Sequence, residues 1–372
     1  MPSASHGKGS RWRARYFKAD GTEVNRRFAR KVDAERWLAE QSAGLVRGDH
    51  VDDRRGRVTF ADWSARWLAA KSDLKPSTRT RYASILEVHL VPRFGAVEIG
   101  SVTHADVATF VSYLLAGGEG RRPLSASSVR QIHRTLSLVL TFAVRDGRLA
   151  RNVAEGVPLP RAAKPDKRHL SLAQLRDLAD AAGEDGRLVV MLLGLTGLRF
   201  GELVALRVGR VDLMRRRIEV AESASEVGGH LTFGTPKTHQ RRSVPVPRSL
   251  VDDLAEVMAG KAPTDLVFTT RVGTPLRLMN WRHRTFDPAV RSAGLDGLTP
   301  HELRHTAASL AVASGAGLKA VQRLLGHASA AMTADVYAHL FEDELDGLTE
   351  RMDAAIAALP GPSTAAMLEV AR

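Results

Sequence analysis

Residues 299–305 read TPHELRH, and this segment predicts the start of a helix. Thr299 is a suitable N-cap residue, and Pro300 fits the first helical position, where a backbone N–H is not needed. His301 and Arg304 then lie three residues apart, on one face of the first turn. Because a helix N-terminus offers unpaired N–H groups and partial positive charge, this face favours a phosphate group as its ligand.

The same segment also satisfies the HExxH pattern, in which two histidines one turn apart bind zinc and the glutamate activates water. A zinc protease needs a third ligand, and residues 306–341 contain no glutamate. Moreover, Pro300 places the pattern at the beginning of a helix. The zinc protease is therefore a weak alternative, and we predict no metal site. Glu302 is interpreted as a residue favoured by the helix dipole, and His305 as a structural or supporting histidine.

Upstream of this segment, an apolar run at residues 188–195 predicts a buried helix, which a Thr-Gly pair ends. Arg199 follows, between two apolar elements. Because burying an unpaired guanidinium is costly, we predict that Arg199 is paired or functional. Between residues 215 and 246 the apolar residues alternate as in strands, and Lys237 lies at a turn between two of them.

Downstream of the segment, residues 325–327 read Leu-Gly-His, and Tyr337 is the only tyrosine after Tyr113. A phenol, with an ordinary pKa of about 10, loses its proton more readily than a serine hydroxyl does. Taken alone, however, Tyr337 is interpreted as a core or capping tyrosine of a helix.

The first 53 residues predict two strands and a helix. Residues 11–17 alternate charged and bulky side chains, a turn at Asp20-Gly21 leads to a second strand at 23–28, and a helix follows from residue 32 to 45. Strands can enter a DNA groove, where arginines bind phosphates or guanine edges. The exposed face of this sheet is predicted to carry DNA-binding arginines, namely Arg11, Arg13, Arg15, Arg26 and Arg27. A solvated charged face is the alternative.

Residues 58–160 predict a bundle of four helices. Thr103 is the expected N-cap of the third helix, with Asp106 three residues later, and the second helix is expected to stop at Pro92. Basic residues outside the apolar stripes are candidate DNA contacts as a cluster, namely Lys75, Arg79, Arg130 and Arg134. A basic stretch at residues 161–168 is predicted to be a linker.

The composition excludes several classes of protein. The 372 residues include 54 Lys and Arg against 41 Asp and Glu, a formal charge of +13, whereas the last 32 residues hold seven acidic and two basic residues. This surplus of positive charge is the electrostatic footprint of a protein that binds a polyanion. The absence of cysteine excludes disulfides, thiolate metal sites and cysteine nucleophiles. With neither a secretory signal nor a membrane-spanning apolar run, we expect a cytoplasmic protein without a membrane partner.

In their order and approximate spacing, these motifs resemble those of the tyrosine recombinases, the phage integrase family. The matching residues are Thr196-Gly197-Leu198-Arg199-x-x-Glu202, Thr235-Pro236-Lys237-Thr238, His301-x-x-Arg304, Leu325-Gly326-His327 and Tyr337. The resemblance implies a mainly α-helical fold with small β-sheets. An arm-type DNA-binding domain of strands and a helix would occupy residues 1–53, a helical, SAM-like core-binding domain 58–160, and an α+β catalytic domain 169–345.

The resemblance also implies roles for the site residues. Arg199 and Arg304 bind the scissile phosphate, and Tyr337 forms a 3′-phosphotyrosine bond. Glu202 supports these residues without contacting the phosphate itself. Two guanidinium groups can stabilise the charge that grows on the non-bridging oxygens, which is a task that a metal ion performs elsewhere. Because the ester keeps the energy of the broken bond, no ATP is needed, and the sequence contains no Walker-type loop. We therefore expect no cofactor.

Three further residues take part in proton transfer and phosphate binding by the same resemblance. Lys237 protonates the leaving 5′ oxygen, His301 transfers a proton to or from the tyrosine, and His327 donates a hydrogen bond to the phosphate. A lysine beside arginines has a lowered pKa, which suits this role.

The implied partners are double-stranded DNA attachment sites, into which the protein integrates a mobile element, with excision left open. We expect a homo-tetramer on DNA, a monomer or dimer without DNA, and an accessory factor that bends DNA or sets direction. An apolar stripe in the acidic tail, residues 346–372, predicts contacts with a neighbouring protomer. A DNA-binding architectural protein without catalysis and a topoisomerase-like enzyme remain as alternatives.

Overall fold

The computed structural model describes residues 12–17, 23–47, 55–117, 120, 122–161, 168–235, 241–337, 349, 352–354 and 356–358. The chain divides into two compact units, Met1–Lys164 and Pro165–Arg372. The predictions for Arg11, for Lys237 and for most of the tail lie outside the described residues, and the finer domain boundaries stay predictions. Within the described part of the chain, no helix has the length and apolarity needed to span a membrane.

An antiparallel pair of strands and one helix begin the first unit. Strand β1 (Trp12–Phe17) pairs with β2 (Glu23–Phe28), and helix α1 (Lys31–Arg47) follows. Apolar side chains on one face of the sheet pack against the helix, and the ring centroids of Tyr16 and Trp37 lie 5.4 Å apart. The alternation in the sequence therefore predicted these elements correctly.

The position of Arg26 differs from the prediction. Arg26 lies opposite Ala14, which is buried on the face of the sheet that packs against the helix. Directly opposed residues share a face, and neighbours along a strand point to opposite faces, so Arg26 and Arg27 cannot both belong to the outer face. Arg27 lies opposite Arg13, and these two residues together with Arg15 occupy the outer face.

Residues 58–160 form a helical bundle, as predicted. Its helices are α2 (Phe60–Ala69), α3 (Pro76–Ile85), α4 (Val91–Phe94), α5 (His104–Ala116) and α6 (Ala126–Arg145). Large side chains fill the core, among them Phe60, Trp67, Phe94, Leu136 and Leu140. The predicted N-cap of α5 is confirmed, because Thr103 and Asp106 form a reciprocal capping box.

The second helix of the bundle does not stop at Pro92, contrary to the prediction. A π-helical turn, Leu86–Leu90, joins α3 to α4, and Pro92 lies in the first turn of α4. Proline breaks a regular α-helix because it lacks an N–H and collides with the carbonyl four residues earlier. The wider turn changes the hydrogen bonding just before Pro92, so the chain remains helical as far as Phe94.

The second unit combines helices with two small sheets. Its helices are α7 (Leu172–Ala181), α8 (Gly183–Thr196), α9 (Phe200–Val204), α10 (Val251–Met258), α11 (Leu278–Trp281), α12 (Asp287–Ser292), α13 (Pro300–Ala313), α14 (Leu318–Leu325) and α15 (Ala330–Tyr337). A second π-helical turn, Arg282–Phe286, joins α11 to α12. Its strands are β3 (Val211–Asp212), β4 (Arg217–Val220), β5 (Ser223–Val227), β6 (His230–Gly234) and β7 (Arg242–Pro245).

All pairings between these strands are antiparallel. One sheet has the order β3-β4-β7, with Ile218 opposite Val244 in the core, and β5 pairs with β6. The segment 266–269 forms isolated bridges instead of a ladder, from Leu266 to Arg207 and from Thr269 to Pro275. Bends at residues 267 and 268 interrupt the ladder between them.

Helix α8 lies at the centre of the second unit, where it packs against α7 and α13. Gly197 ends α8 in the left-handed conformation, with φ of 65°. A Cβ atom at this position would lie 2.8 Å from Cδ2 of Leu325, so glycine is required by both the conformation and the space. The sharp turn brings Arg199, at the start of α9, next to the start of α13 and the end of α14.

Candidate active site

Glu202 is the buried centre of an arginine cluster. Its side chain is 1% exposed. The backbone N–H of Arg199 donates to Glu202 Oε2 at 2.9 Å, and the Arg199 guanidinium donates to Oε1 at 2.8 Å. The prediction that Arg199 is paired is therefore confirmed, and the pair fixes both the backbone and the side chain of Arg199 at the beginning of α9.

Arg242 on β7 is a second partner of Glu202, and the sequence analysis missed it. Its Nη1 and Nη2 donate to the two carboxylate oxygens at 3.0 and 2.6 Å. Strand periodicity offered a signal, because Arg242 alternates with the buried Val244 and so shares its face. A charged residue on the core side of a strand needs a buried partner.

The environment of Glu202 keeps its carboxylate ionised. Burial by itself raises the pKa, but the hydrogen bond and charge of Arg242, together with those of Arg199, outweigh burial and hold the pKa at about 2. The carboxylate therefore remains a negative charge between two guanidinium groups at neutral pH.

We expect Glu202→Gln to remove a pH-dependent part of the stability. The pKa of this carboxyl is lower in the folded state than the ordinary value of 4.5, so its contribution is complete above pH 4.5 and is lost as the pH falls toward 2. The shift corresponds to a difference on the order of 3 kcal/mol in the free energy of unfolding. Urea unfolding of wild type and variant at a series of pH values measures it.

The difference in the free energy of unfolding between wild type and Glu202→Gln should be largest near neutral pH and should become smaller as the pH falls. A difference that does not change with pH would contradict the assigned pKa. Glu222→Gln is the matched control, since Glu222 also pairs with an arginine, Arg207, but its side chain is 41% exposed.

Arg304 on α13 is buried, with 3% exposure. Its Nη1 donates to the carbonyl of Gly197 and its Nη2 to the carbonyl of Leu325, so that it ties the end of α8 to the end of α14. Burial, followed by the charge of Arg199, lowers the pKa of Arg304 to about 9. The guanidinium is still protonated at neutral pH. Arg199 and Arg304 therefore place two positive charges in the same part of the site.

The start of α13 follows the sequence prediction. The backbone N–H and the hydroxyl of Thr299 both donate to Glu302 Oε2, at 2.6 and 2.9 Å, and Pro300 lies in the first turn, so Glu302 acts as a capping residue. His301 is exposed, and its ring meets that of His305 edge-on at 5.2 Å between centroids. Both histidines of the HExxH pattern thus lie on one face of the helix.

Tyr337, on α15, is buried with 3% exposure, and its hydroxyl lies 2.7 Å from Nδ1 of His305. Burial raises the pKa of Tyr337 to about 12, against the opposing effect of the positive charge of Arg304. His305 was interpreted as a structural or supporting histidine, and its contact with the phenol was not anticipated. The available signal was its position four residues after His301, which places both rings on one helical face.

His327 follows the C-cap of α14 and lies beside the tyrosine. Its ring is nearly parallel to that of Tyr337, at 11°, with 6.4 Å between centroids, and its Nδ1 lies 3.0 Å from Oγ1 of Thr333. Burial, followed by the charges of Arg304 and Arg199, lowers the pKa of His327 to about 4. The imidazole is therefore neutral at neutral pH.

The structure thus brings together most of the residues selected from the sequence. The cluster consists of Arg199, Glu202, Arg304, His327 and Tyr337, with His301 joined to it through the ring of His305. Lys237 lies outside the described residues. Among the described residues, no group of three potential His, Asp or Glu ligands is arranged to hold a metal ion.

The candidate DNA contacts of the bundle have varied surroundings. Arg79 donates to the carbonyls of Leu68 and Lys71, at 3.2 and 3.3 Å, and so caps the end of α2. Arg130 donates to the carbonyl of Pro160 at 3.2 Å. Arg134 is exposed, and Lys75 is half-buried at the N-cap of α3.

Two family models match the chain. Residues 168–344 match the phage integrase family, and residues 59–115 match the phage integrase N-terminal SAM-like domain. Among curated proteins, the integrase of Mycobacterium phage L5 is 28% identical over 320 residues, covering 82% of this chain and 84% of that protein. Tyrosine recombinase XerD of Corynebacterium glutamicum is 28% identical over 305 residues, covering 78% and 96%.

Solved structures show the same fold. The Tn1549 transposon integrase in complex with a circular intermediate DNA has a TM-score of 0.68 and 21% identity, and covers 79% of this chain and 99% of that one. A lambda integrase dimer bound to a COC′ core site has a TM-score of 0.57 and 18% identity, covering 87% and 91%.

Proposed function

The chain belongs to the phage integrase family of tyrosine recombinases, and from this premise we propose which of its residues cleave and rejoin DNA. The protein is a site-specific recombinase whose strand transfer passes through a phosphotyrosine bond. Tyr337 is the proposed nucleophile. The observation that supports this assignment most is the position of its hydroxyl, 2.7 Å from an imidazole nitrogen of His305 and within the electrostatic reach of Arg304.

In the proposed reaction, the oxygen of Tyr337 attacks the phosphorus of a DNA phosphodiester. A bond from oxygen to phosphorus forms, and the bond from phosphorus to the 5′ oxygen breaks, which leaves a 3′-phosphotyrosine and a 5′ hydroxyl. The phenol gives up one proton and the leaving oxygen takes up one. Attack by the 5′ hydroxyl of another strand reverses these steps and rejoins the DNA, without net loss of bond energy.

Arg199 and Arg304 would bind the non-bridging oxygens of this phosphate. Charge-assisted hydrogen bonds from guanidinium groups are short and strong, and in a partly buried site they stabilise the growing negative charge. The Arg199 side chain is 25% exposed, which leaves it accessible to DNA. Arg304 donates two of its five N–H groups to backbone carbonyls, and within the described part of the chain the other three are left to bind the phosphate.

The histidines would accept, transfer and donate protons during the reaction. Because the pKa of Tyr337 is about 12, the phenol is protonated at neutral pH and needs an acceptor, which Nδ1 of His305 provides. His301, in edge contact with His305, would pass the proton to or from solvent. If Thr333 donates to Nδ1 of His327, the proton of the neutral imidazole lies on Nε2, from which it would donate to the phosphate.

We expect His305→Leu to slow cleavage by about a hundredfold to ten-thousandfold, the usual range for loss of a positioned proton acceptor. His305→Asn should recover part of the rate, since the amide can place a polar atom near the position of Nδ1. The measurement is the single-turnover rate of covalent adduct formation. Equal losses in the two variants would argue against a polar role of His305 at the phenol.

Lys237 is proposed as the donor of the proton to the leaving 5′ oxygen, in keeping with the resemblance of its motif. We also propose that four copies assemble on a pair of DNA attachment sites to integrate a mobile element, that the tail of residues 346–372 contacts a neighbouring protomer, and that the arm and bundle arginines bind flanking DNA. Support comes from the family relationship and from the related integrase whose structure contains a dimer on a core site.

A covalent capture experiment tests the proposed function. Labelled fragments of the DNA on either side of the coding region are incubated with the protein, denatured and separated, and cleavage positions are mapped from the retained fragment. The proposal predicts a denaturant-resistant adduct on a fragment that contains the attachment core. Specific retention of a fragment under native conditions without any adduct would support the architectural alternative instead.

A further inference from the structure

Arg242 lies in the site, but the reaction proposed above gives it no role. Its side chain is 8% exposed, and both terminal nitrogens bind the carboxylate of Glu202. Its third nitrogen, Nε, donates to the carbonyl of Leu324 at 3.2 Å. One guanidinium fork therefore connects strand β7 with α9 and with the end of α14.

The first connection leads to Arg199. Glu202 holds Arg199 through the backbone N–H and through the guanidinium, and Arg242 holds Glu202 from the other side by two parallel hydrogen bonds. A bidentate pair between arginine and carboxylate fixes orientation as well as distance. The direction of the Arg199 side chain is thus set through Glu202 by Arg242.

The second connection leads to His327. Arg242 binds the carbonyl of Leu324, and Arg304 binds that of Leu325, so two guanidinium groups hold successive carbonyls at the end of α14. The next residue, Gly326, is in the left-handed conformation, and a Cβ there would lie 2.7 Å from Cδ of Arg242. Arg242 therefore packs closely against the glycine that immediately precedes His327.

We propose that Arg242 is a positioning residue that holds Arg199 and His327 in register on the scissile phosphate. It acts through Glu202 and through the end of α14, to which three of its five N–H donors bind. The inference rests on the proposed function, because it concerns the geometry of the phosphate-binding groups. Lysine at this position would keep the charge but would lose the fork and the bond from Nε.

The test compares two nicked duplexes that carry the mapped cleavage position, one with the natural phosphate and one with a methylphosphonate there. The methylphosphonate lacks the negative charge that Arg199 would bind, so cleavage of it depends less on how Arg199 is oriented. We expect Arg242→Lys to slow adduct formation on the phosphate by about tenfold to a hundredfold, and on the methylphosphonate by less than about threefold. DNA affinity should change by less than about threefold.

Arg210→Lys is the matched control, because Arg210 also pairs with a glutamate, Glu219, on the same sheet but outside the site. It should leave both rates unchanged. Equal slowing of both substrates by Arg242→Lys would overturn the proposal in favour of a general structural role. Unchanged rates on both would overturn it as well. Absence of any adduct with wild type would instead contradict the proposed function.

Glu202→Gln distinguishes a positioning role of Arg242 from mere neutralisation of the buried carboxylate. If Arg242 served only to neutralise the buried carboxylate, Glu202→Gln would restore the activity of Arg242→Gln, which lacks the positive charge. The proposal predicts no recovery in this double variant, since it does not restore the fork that orients Arg199. Recovery to within about threefold of the rate of Glu202→Gln alone would contradict it.

Discussion

Tyr337→Phe is expected to abolish the covalent protein–DNA adduct while leaving DNA binding nearly unchanged. The substitution removes one oxygen, and no other group at this position can form the ester. The ring fills the same buried volume, so the packing of α15 is retained. We expect adduct formation to fall by more than about 10⁴-fold and the dissociation constant to change by less than about threefold.

Both quantities come from one nicked substrate, by denaturing electrophoresis for the adduct and by native electrophoresis for binding. Tyr113→Phe is the control, because this tyrosine is exposed on α5 and lies outside the site. Retention of the adduct in Tyr337→Phe would show that another residue is the nucleophile.

Arg304→Lys and Arg199→Lys are expected to affect catalysis alike and stability differently. Either change replaces a fork on the phosphate by a single ammonium group, and we expect cleavage to slow by about a hundredfold or more. Only Arg304 also binds two buried carbonyls, at Gly197 and Leu325. A lysine cannot satisfy both, so Arg304→Lys should lower the free energy of unfolding by about 2 to 4 kcal/mol.

The partly exposed Arg199 pairs with Glu202 among the residues that the structure describes, and Arg242 continues to hold this carboxylate in the variant. Arg199→Lys should therefore lower the free energy of unfolding by no more than about 1 kcal/mol. Urea denaturation and single-turnover cleavage of the two variants provide the comparison. Equal stability in both would mean that the carbonyl contacts of Arg304 contribute little to the fold.

The parts of the site that the sequence predicts are those encoded locally. The cap at Thr299 and Glu302 depends on residues three apart, and the strands β1 and β2 follow from side chains that alternate along a short segment. Local patterns of this kind are set by helix and strand geometry alone. The motif residues could also be selected, because their order along the chain resembles that of a known family.

The parts that the sequence does not predict depend on distant contacts. His305 and Tyr337 are 32 residues apart, and Arg242 is 40 residues from Glu202, so no local pattern brings either pair together. The continuation of the helix through Pro92 requires a change of helix type that propensities do not describe. The prediction for Arg26 is wrong because neighbouring residues of a strand point to opposite faces, and Arg27 occupies the outer one.

The most direct test of the account identifies the atom of the protein that becomes joined to DNA. The adduct trapped on a nicked duplex is digested with trypsin and nuclease, and the peptide that carries a nucleotide is sequenced by mass spectrometry. Cleavage after Arg323 and Arg351 gives a peptide whose only tyrosine is Tyr337. We predict that this residue carries the nucleotide through a 3′-phosphate. A nucleotide on any other residue, or none on the protein at all, would contradict the assignment.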